Sequence, residues 1–461
     1  MRLSFDRGTL LVDPEPGEPA PGWLPGVLWD PRVERFRAPA YRYAELRAAL
    51  LRGGVALADH VLAIPLRNAD ERRTDGGLRP YQAAALMAWR AAGARGLVVL
   101  PTGSGKTRIA CAAVGASRSA LVLVPTRALL HQWRGELERA TSRPVGCFGD
   151  GRHDLAALCI ATFESAYRYM ARLGSRFELL VVDEVHHFGG SIRDEALEMC
   201  AAPWRMGLTA TPAVGPAEAR LDDLVGPAVF QLGLGDLAGV WLADLDVVVL
   251  RLRLTPEERL RYEADVLRFR SVYAAFRRSM PGGAWTDFVA AAQRSADGQA
   301  ALRCWRRARR GLALTSAKRQ AVSDLLSRHR DQRVLVFTQD NESAYAIARA
   351  ELVMPITCDI ERAERERALA AFRDGRLSTL VSSRVLNEGL DVPDAEVAII
   401  VGGTLGEREH VQRVGRLLRP RPGKRAVVYE LVTVGTAELR RAREHRTALA
   451  ARRGEDLACS L

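Results

Sequence analysis

The chain has no long apolar run, no paired-cysteine motif and no low-complexity tract beyond one proline-rich loop. Nothing in it approaches the ~18 consecutive apolar residues of a membrane-crossing helix, so no membrane partner is expected. The opening residues Met1 to Arg7 lack the apolar core of a secretory signal. Seven cysteines stand at positions 111, 147, 159, 200, 304, 358 and 459, no two of them at Cys-x-x-Cys spacing. That excludes the usual zinc, iron–sulfur and dithiol redox patterns. Most of these cysteines fall in apolar segments, which predicts buried thiols, no disulfides and a reducing, cytoplasmic compartment.

What the chain does have is charge of one sign. The net charge is +12 and the isoelectric point about 9.8. Such a surplus suits a phosphate-bearing partner, because each Lys or Arg that neutralises a phosphate releases counterions. Arginine used only for solubility would give the same total.

A length of 461 residues leaves room for roughly three domains of ~150 residues. Residues 1–75 read as a small separate module. In it Pro14, Pro16, Pro19, Pro21 and Pro25 enforce an extended loop, 43–51 reads as a helix, and the polar stretch 67–77 reads as a linker. Residues 76–237 show a strand–helix rhythm, with short apolar runs at 97–100, 120–124, 158–161, 179–182 and 206–209 and helical patterns at 80–92 and 126–140. The runs are continuous rather than alternating, which fits strands buried on both faces, hence a parallel sheet covered by helices. A second such series, within 238–448, has strands at 334–338, 379–382, 397–401 and 426–431. Between the two lies 254–310, rich in Arg, Glu, Ala and aromatics, which reads as inserted helices broken at Pro281-Gly282-Gly283. Residues 449–461 form a short tail.

Residues 97–107 read Leu-Val-Val-Leu-Pro-Thr-Gly-Ser-Gly-Lys-Thr. An apolar strand thus enters Pro101, Thr102, Gly103, Ser104, Gly105, Lys106 and Thr107, the order of a phosphate-cradling loop. Glycine lets backbone amides converge on phosphate oxygens, and the following helix adds its positive end. Lys106 can reach the β- and γ-phosphates and Thr107 can ligate Mg²⁺. Leu100 stands where the general pattern has glycine. Asp183 and Glu184 end an apolar strand, at the edge of a parallel sheet where ligands bind. Asp183 suits Mg²⁺ through its water shell, and Glu184 suits activation of an attacking water. His186-His187 lack the companions of a zinc site, and His186 is better placed to link the nucleotide site to its surroundings. Thr209 and Thr211 close another strand with hydroxyls suited to a coupling role. After Gln412, the residues Arg413, Arg416 and Arg419 carry guanidinium groups at a helical spacing of three. Arg416 and Arg419 could reach the transferred phosphoryl group as arginine fingers, or form a solvated basic face.

This ordered set resembles the superfamily 2 helicases, and within them the XPB family in its short archaeal and bacterial form. The resemblance rests on Leu78-Arg-Pro-Tyr-Gln82, Asp183-Glu-Val-His-His187, Gly207-Leu-Thr-Ala-Thr211, Val385-Leu-Asn-Glu-Gly-Leu-Asp-Val-Pro-Asp394 and the segment 412–419, with a looser match of 30–43 to that family's damage-recognition domain. It implies an α/β fold of two RecA-like parallel-sheet domains, a helical thumb-like insertion at 254–310 and a small N-terminal α+β module. It implies ATP and Mg²⁺ as cofactors and ATP-driven 3′→5′ movement on DNA, single strand or fork, in DNA repair beside a nuclease partner. Gln82 would read adenine with Arg79 nearby; Glu388, Gly389 and Asp391 would join the second domain to nucleotide and strand. Arg127 and Thr162 would hold the strand backbone, in keeping with phosphate contacts that position without reading bases. In the thumb, Arg306 and Arg307, near Trp285, Phe288 and Trp305, suit a stacked single strand; inward packing of those rings is the alternative.

One departure stands out. Archaeal members carry an Arg-Glu-Asp triplet after the Thr-Ala-Thr motif, whereas here 212–217 reads Pro-Ala-Val-Gly-Pro-Ala. The expectation is unaffected ATP hydrolysis with unwinding weaker than translocation. Other functions compatible with the motifs are a motor subunit of a restriction or defence system, a duplex DNA translocase, an RNA helicase and a non-catalytic DNA-binding scaffold.

Overall fold

In the computed structural model the described residues are 1–63, 77–237, 241, 244–383, 395–402 and 425–439. They fall into two compact units that divide between Gly233 and Leu234.

The first unit begins with a small sheet of β1 (Arg2–Asp6), β2 (Thr9–Asp13), β3 (Leu28–Asp30), β4 (Arg35–Pro39) and β5 (Ala58–His60), in the order β3-β4-β2-β1-β5. Its pairs are antiparallel except β1 with β5. The helix Tyr43–Arg52 turns Tyr43, Leu46 and Leu50 onto this sheet, against Leu3, Leu10 and Val12. Tyr41 Oη donates to Asp223 Oδ2 at 2.7 Å and ties this module to the larger sheet.

That larger sheet contains β6 (Arg95–Val99), β7 (Ala120–Val124), β8 (Val145–Gly149), β9 (Arg152–His153), β10 (Leu158–Thr162), β11 (Leu179–Asp183), β12 (Trp204–Thr209) and β13 (Ala228–Gln231). Their order is β13-β6-β12-β11-β7-β10-β8-β9, parallel throughout except for the short β8–β9 pair. Every residue of β7, β8, β10 and β11 is buried, as continuous apolar runs require when helices cover both faces. Because the strands run the same way, Val99, Val124, Thr162, Asp183 and Thr209 all lie at one edge of the sheet. The connection leaving β6 runs one way along the sheet, to β7, and that leaving its neighbour β12 runs the other way, to β13, so a topological switch point lies between β6 and β12, where open parallel sheets bind ligands.

Arg205, on β12, is fully buried and has no carboxylate hydrogen-bond partner among the described residues. Its guanidinium donates to the carbonyls of Leu197, Cys200, Ala202 and Leu224. These carbonyls lie in or just beyond the helices Glu195–Glu198 and Pro216–Leu224, where the last turns leave backbone acceptors unpaired. Burial pulls the guanidinium down to about 9, a cost of desolvation that the four carbonyls offset.

The second unit holds β14 (Asp244–Leu252), β15 (Val334–Phe337), β16 (Met354–Ile356), β17 (Thr379–Ser382), β18 (Val397–Ile400) and β19 (Arg425–Thr433). They form a fully parallel sheet in the order β14-β19-β18-β15-β17-β16. Between β14 and β15 come the helices Pro256–Ser279, Trp285–Gln293 and Ala296–Ala313. The break at Pro281-Gly282-Gly283 separates the first two. None of the described helices is long and apolar enough to cross a membrane.

Candidate nucleotide and strand site

The first unit builds its site where β6 ends. Gly103 and Gly105 adopt φ of +86° and +82°, which an L side chain rarely tolerates. A Cβ on Gly105 would come within 2.5 Å of Gln82 Nε2, so this position needs glycine for space as well as for conformation. The helix Lys106–Ala116 follows at once. Lys106 is buried, and its Nζ donates to Leu100 O at 3.0 Å and Pro101 O at 3.4 Å. The hydroxyls of Thr102 and Ser104 are buried with no hydrogen-bond partner among the described residues, and Thr107 occupies the second position of the helix.

Gln82 is buried beneath this loop. Its Oε1 accepts from Arg79 N at 2.9 Å and its Nε2 donates to Ser104 O at 2.8 Å. Tyr81 Oη donates to the same carbonyl. The helix Pro80–Ala91 is thereby fastened to the glycine loop.

Asp183 ends β11 and is buried. Its Oδ2 accepts from Trp133 Nε1 at 2.8 Å and its Oδ1 from the Glu184 N–H at 3.0 Å. Burial pushes the Asp183 carboxyl above the ordinary carboxylate range, while the Trp133 N–H and the nearby Lys106 charge pull the other way. Glu184 holds φ of +50°, a left-handed conformation uncommon outside glycine and of the kind that concentrates at functional sites.

A hydrogen-bonded chain connects this turn to β12. His186 Nδ1 lies 3.4 Å from Glu184 Oε2 and 3.1 Å from Thr209 Oγ1. Thr209 Oγ1 in turn donates to Thr211 O at 2.8 Å. A hydroxyl has one proton, and here it goes to Thr211 O, so the proton in the His186–Thr209 bond belongs to His186 Nδ1. The Thr211 hydroxyl is buried and has no hydrogen-bond partner among the described residues.

Two helix N-termini open at the same sheet edge, on the neighbouring strands β7 and β10. Thr126 Oγ1 caps the helix Arg127–Thr141 by accepting from Leu129 N at 3.3 Å, and Thr162 Oγ1 caps Phe163–Leu173 by accepting from Ser165 N at 3.2 Å. Arg127 is exposed and 3.4 Å from Asp150, which also meets His131 at 3.0 Å. Thr162 is buried and its hydroxyl is committed to the cap. Backbone amides and an exposed arginine at paired helix starts suit phosphate oxygens.

In the second unit Arg306 and Arg307 are exposed on the helix Ala296–Ala313. Arg307 Nε donates to Asp265 Oδ2 at 3.1 Å. Phe288 is buried against Phe269, Tyr273 and Phe276, so this ring packs inward. Trp285 is 40% exposed, its ring 4.9 Å from that of Trp305, over which Arg309 sits at 4.6 Å. The inserted helices thus divide their aromatics between a small core and a partly open face. Glu388, Gly389, Asp391, Gln412, Arg413, Arg416 and Arg419 lie outside the described residues.

Trp133 and Tyr81 were not anticipated as parts of this site. The spacing of Leu130, Trp133 and Leu137 marks a buried helix face, but no local signal names the partner of the indole N–H.

Three family models match. Residues 3–61 match the Xeroderma pigmentosum group B helicase damage recognition domain, 75–214 the Type III restriction enzyme res subunit, and 317–421 the helicase conserved C-terminal domain. The DNA 3′-5′ translocase XPB2 of Sulfurisphaera tokodaii is 33% identical over 96% of this chain and 99% of its own length. The DNA 3′-5′ helicase XPB of Mycobacterium tuberculosis is 30% identical over 77% of this chain, which spans 60% of that protein. Among solved structures, the Pyrococcus furiosus Hef helicase domain superposes with a TM-score of 0.55 at 17% identity, covering 81% of this chain and 99% of that one. At that identity the likeness speaks for the fold, two RecA-like α/β domains. With the damage-recognition module, both helicase segments and a full-length relative in agreement, the chain belongs to the XPB family of superfamily 2 helicases.

Proposed function

We propose that the chain is an ATP-dependent 3′→5′ DNA translocase and helicase acting in DNA repair, with a module at 1–75, an ATP-binding domain at 76–237 and a second motor domain at 238–448. The observation that carries this is the convergence of Lys106, Asp183 and the left-handed Glu184 on one sheet edge. ATP·Mg²⁺ fits the residues present. Two glycines hold the loop open, and the buried Thr102, Ser104 and Thr211 hydroxyls have no hydrogen-bond partner among the described residues. When bound, the nucleotide supplies the phosphoryl group whose transfer to water drives movement. Lys106 and the loop amides would hold its phosphates, Thr107 and Asp183 the Mg²⁺, and Glu184 would take the proton of the attacking water. Arg79 and Gln82 would define the adenine side. His186, Thr209, Thr211 and Glu388 would couple the site to the strand, with Gly389, Asp391, Gln412, Arg416 and Arg419 completing it from the second domain. Arg127, Arg306 and Arg307, with the backbone amides of the helix start that Thr162 caps, would meet DNA in a cytoplasmic setting, beside a nuclease partner.

A second emphasis, translocation on duplex with weak unwinding, is favoured by the segment 212–217, which lacks the Arg-Glu-Asp triplet. A restriction motor is less well supported, because the N-terminal module matches a damage-recognition domain. The test is ATP hydrolysis measured with single-stranded DNA, duplex, fork and RNA, with strand displacement in parallel. DNA is expected to stimulate hydrolysis, with displacement of the fork slow. Equal hydrolysis without nucleic acid, or stimulation by RNA alone, would remove the DNA assignment.

A further inference from the structure

Two buried tryptophans of the first unit use their indole donors differently. Trp89 Nε1 donates to a backbone carbonyl, Arg205 O, at 2.8 Å. Trp133 Nε1 donates to the side chain of Asp183, also at 2.8 Å. An indole N–H only donates, and a buried one needs a partner, so the choice of acceptor is informative. Trp133 is 1% exposed, and leucine or phenylalanine would fill such a site without a donor to satisfy. Here the donor reaches a carboxylate of the nucleotide site. With the Glu184 N–H on the other oxygen, each Asp183 oxygen holds one protein donor and the carboxylate is fixed in rotation.

The position of Trp133 along its helix adds the second half. The helix Arg127–Thr141 starts just after β7, and its first turn carries Thr126 as cap and the exposed Arg127. Trp133 lies six residues on, about 9 Å along the same rigid rod. A displacement of the helix start is therefore delivered to Asp183 without passing through a loop.

We propose that Trp133 is a positioning residue that pins Asp183 from the helix bearing Thr126 and Arg127, so that strand contact at the helix start and carboxylate placement beside the glycine loop are coupled through one hydrogen bond. This builds on the nucleotide and strand site proposed above.

The test uses the full chain and equilibrium binding of a fluorescent, non-hydrolysable ATP analogue, with and without Mg²⁺ and with and without single-stranded DNA. Trp133→Phe keeps an aromatic ring and removes the donor. It is expected to leave Mg²⁺-free analogue affinity and nucleotide-free DNA affinity within about twofold. The gain in affinity that Mg²⁺ confers should fall about 10-fold, the scale of a hydrogen bond to a charged group. The effect of DNA on analogue affinity should shrink toward none. Trp133→His packs less well than Phe but restores a ring N–H, and should recover part of both effects. That ranking runs against packing, so a merely structural tryptophan cannot produce it. Unchanged Mg²⁺ and DNA effects in Trp133→Phe, parallel loss of all affinities, or a His variant no better than Phe would overturn the proposal. If the unaltered protein itself binds the analogue without regard to Mg²⁺, the nucleotide site is misread, and that failure is visible before any variant is made.

Discussion

Lys106→Ala and Glu184→Gln are each expected to lower DNA-stimulated ATP hydrolysis by at least about 10²-fold, the lower bound for a general base. The two changes act differently. Lys106 is the buried cation whose Nζ is already aligned by Leu100 O and Pro101 O, and alanine leaves the loop without the charge that acts on Asp183 and is proposed to meet the phosphates. Glu184→Gln preserves shape and a hydrogen-bonding group but cannot accept a proton. It should therefore keep nucleotide affinity while losing turnover, whereas Lys106→Ala loses both. Salt-sensitive DNA binding should persist in each, since the proposed strand contacts lie at the starts of the helices Arg127–Thr141 and Phe163–Leu173. Steady-state hydrolysis beside filter binding at two salt concentrations measures both properties. Wild-type turnover in both variants would show that the site has been misassigned.

Arg416→Ala and Arg419→Ala carry the other large effect. Residues spaced by three on a helix face one direction, and an arginine finger is worth about 10³–10⁵ in rate. A loss in that range, with nucleotide affinity changed far less, is expected in single-turnover hydrolysis for whichever arginine meets the phosphoryl group. Lysine at the same position should recover little, because it lacks the planar fork. A loss below tenfold in both variants would leave these residues as a solvated basic face.

The parallel sheets were legible because their strands are continuous apolar runs, as at β7, β11 and β15. β14 escaped notice although 247–250 is such a run, whereas β8, β13 and β16 lack that signature. Gly146 and Gly149 interrupt β8; β13 sits at a sheet edge with an irregular register between Ala228 and Phe230; β16 is an edge strand of three residues that includes Pro355. The nucleotide loop and Asp183-Glu184 were legible because their chemistry is contiguous. Trp133 and Arg205 were not. The indole finds its acceptor 50 residues away, and the guanidinium gathers carbonyls from separate turns that only the folded chain brings together.

The most direct measurement of ATP-driven 3′→5′ movement is release of streptavidin from single-stranded DNA biotinylated at one end or the other. ATP-dependent release from the 5′ end, absent with Glu184→Gln, is the predicted result. Release from the 3′ end, or release that does not require ATP, would contradict a 3′→5′ motor.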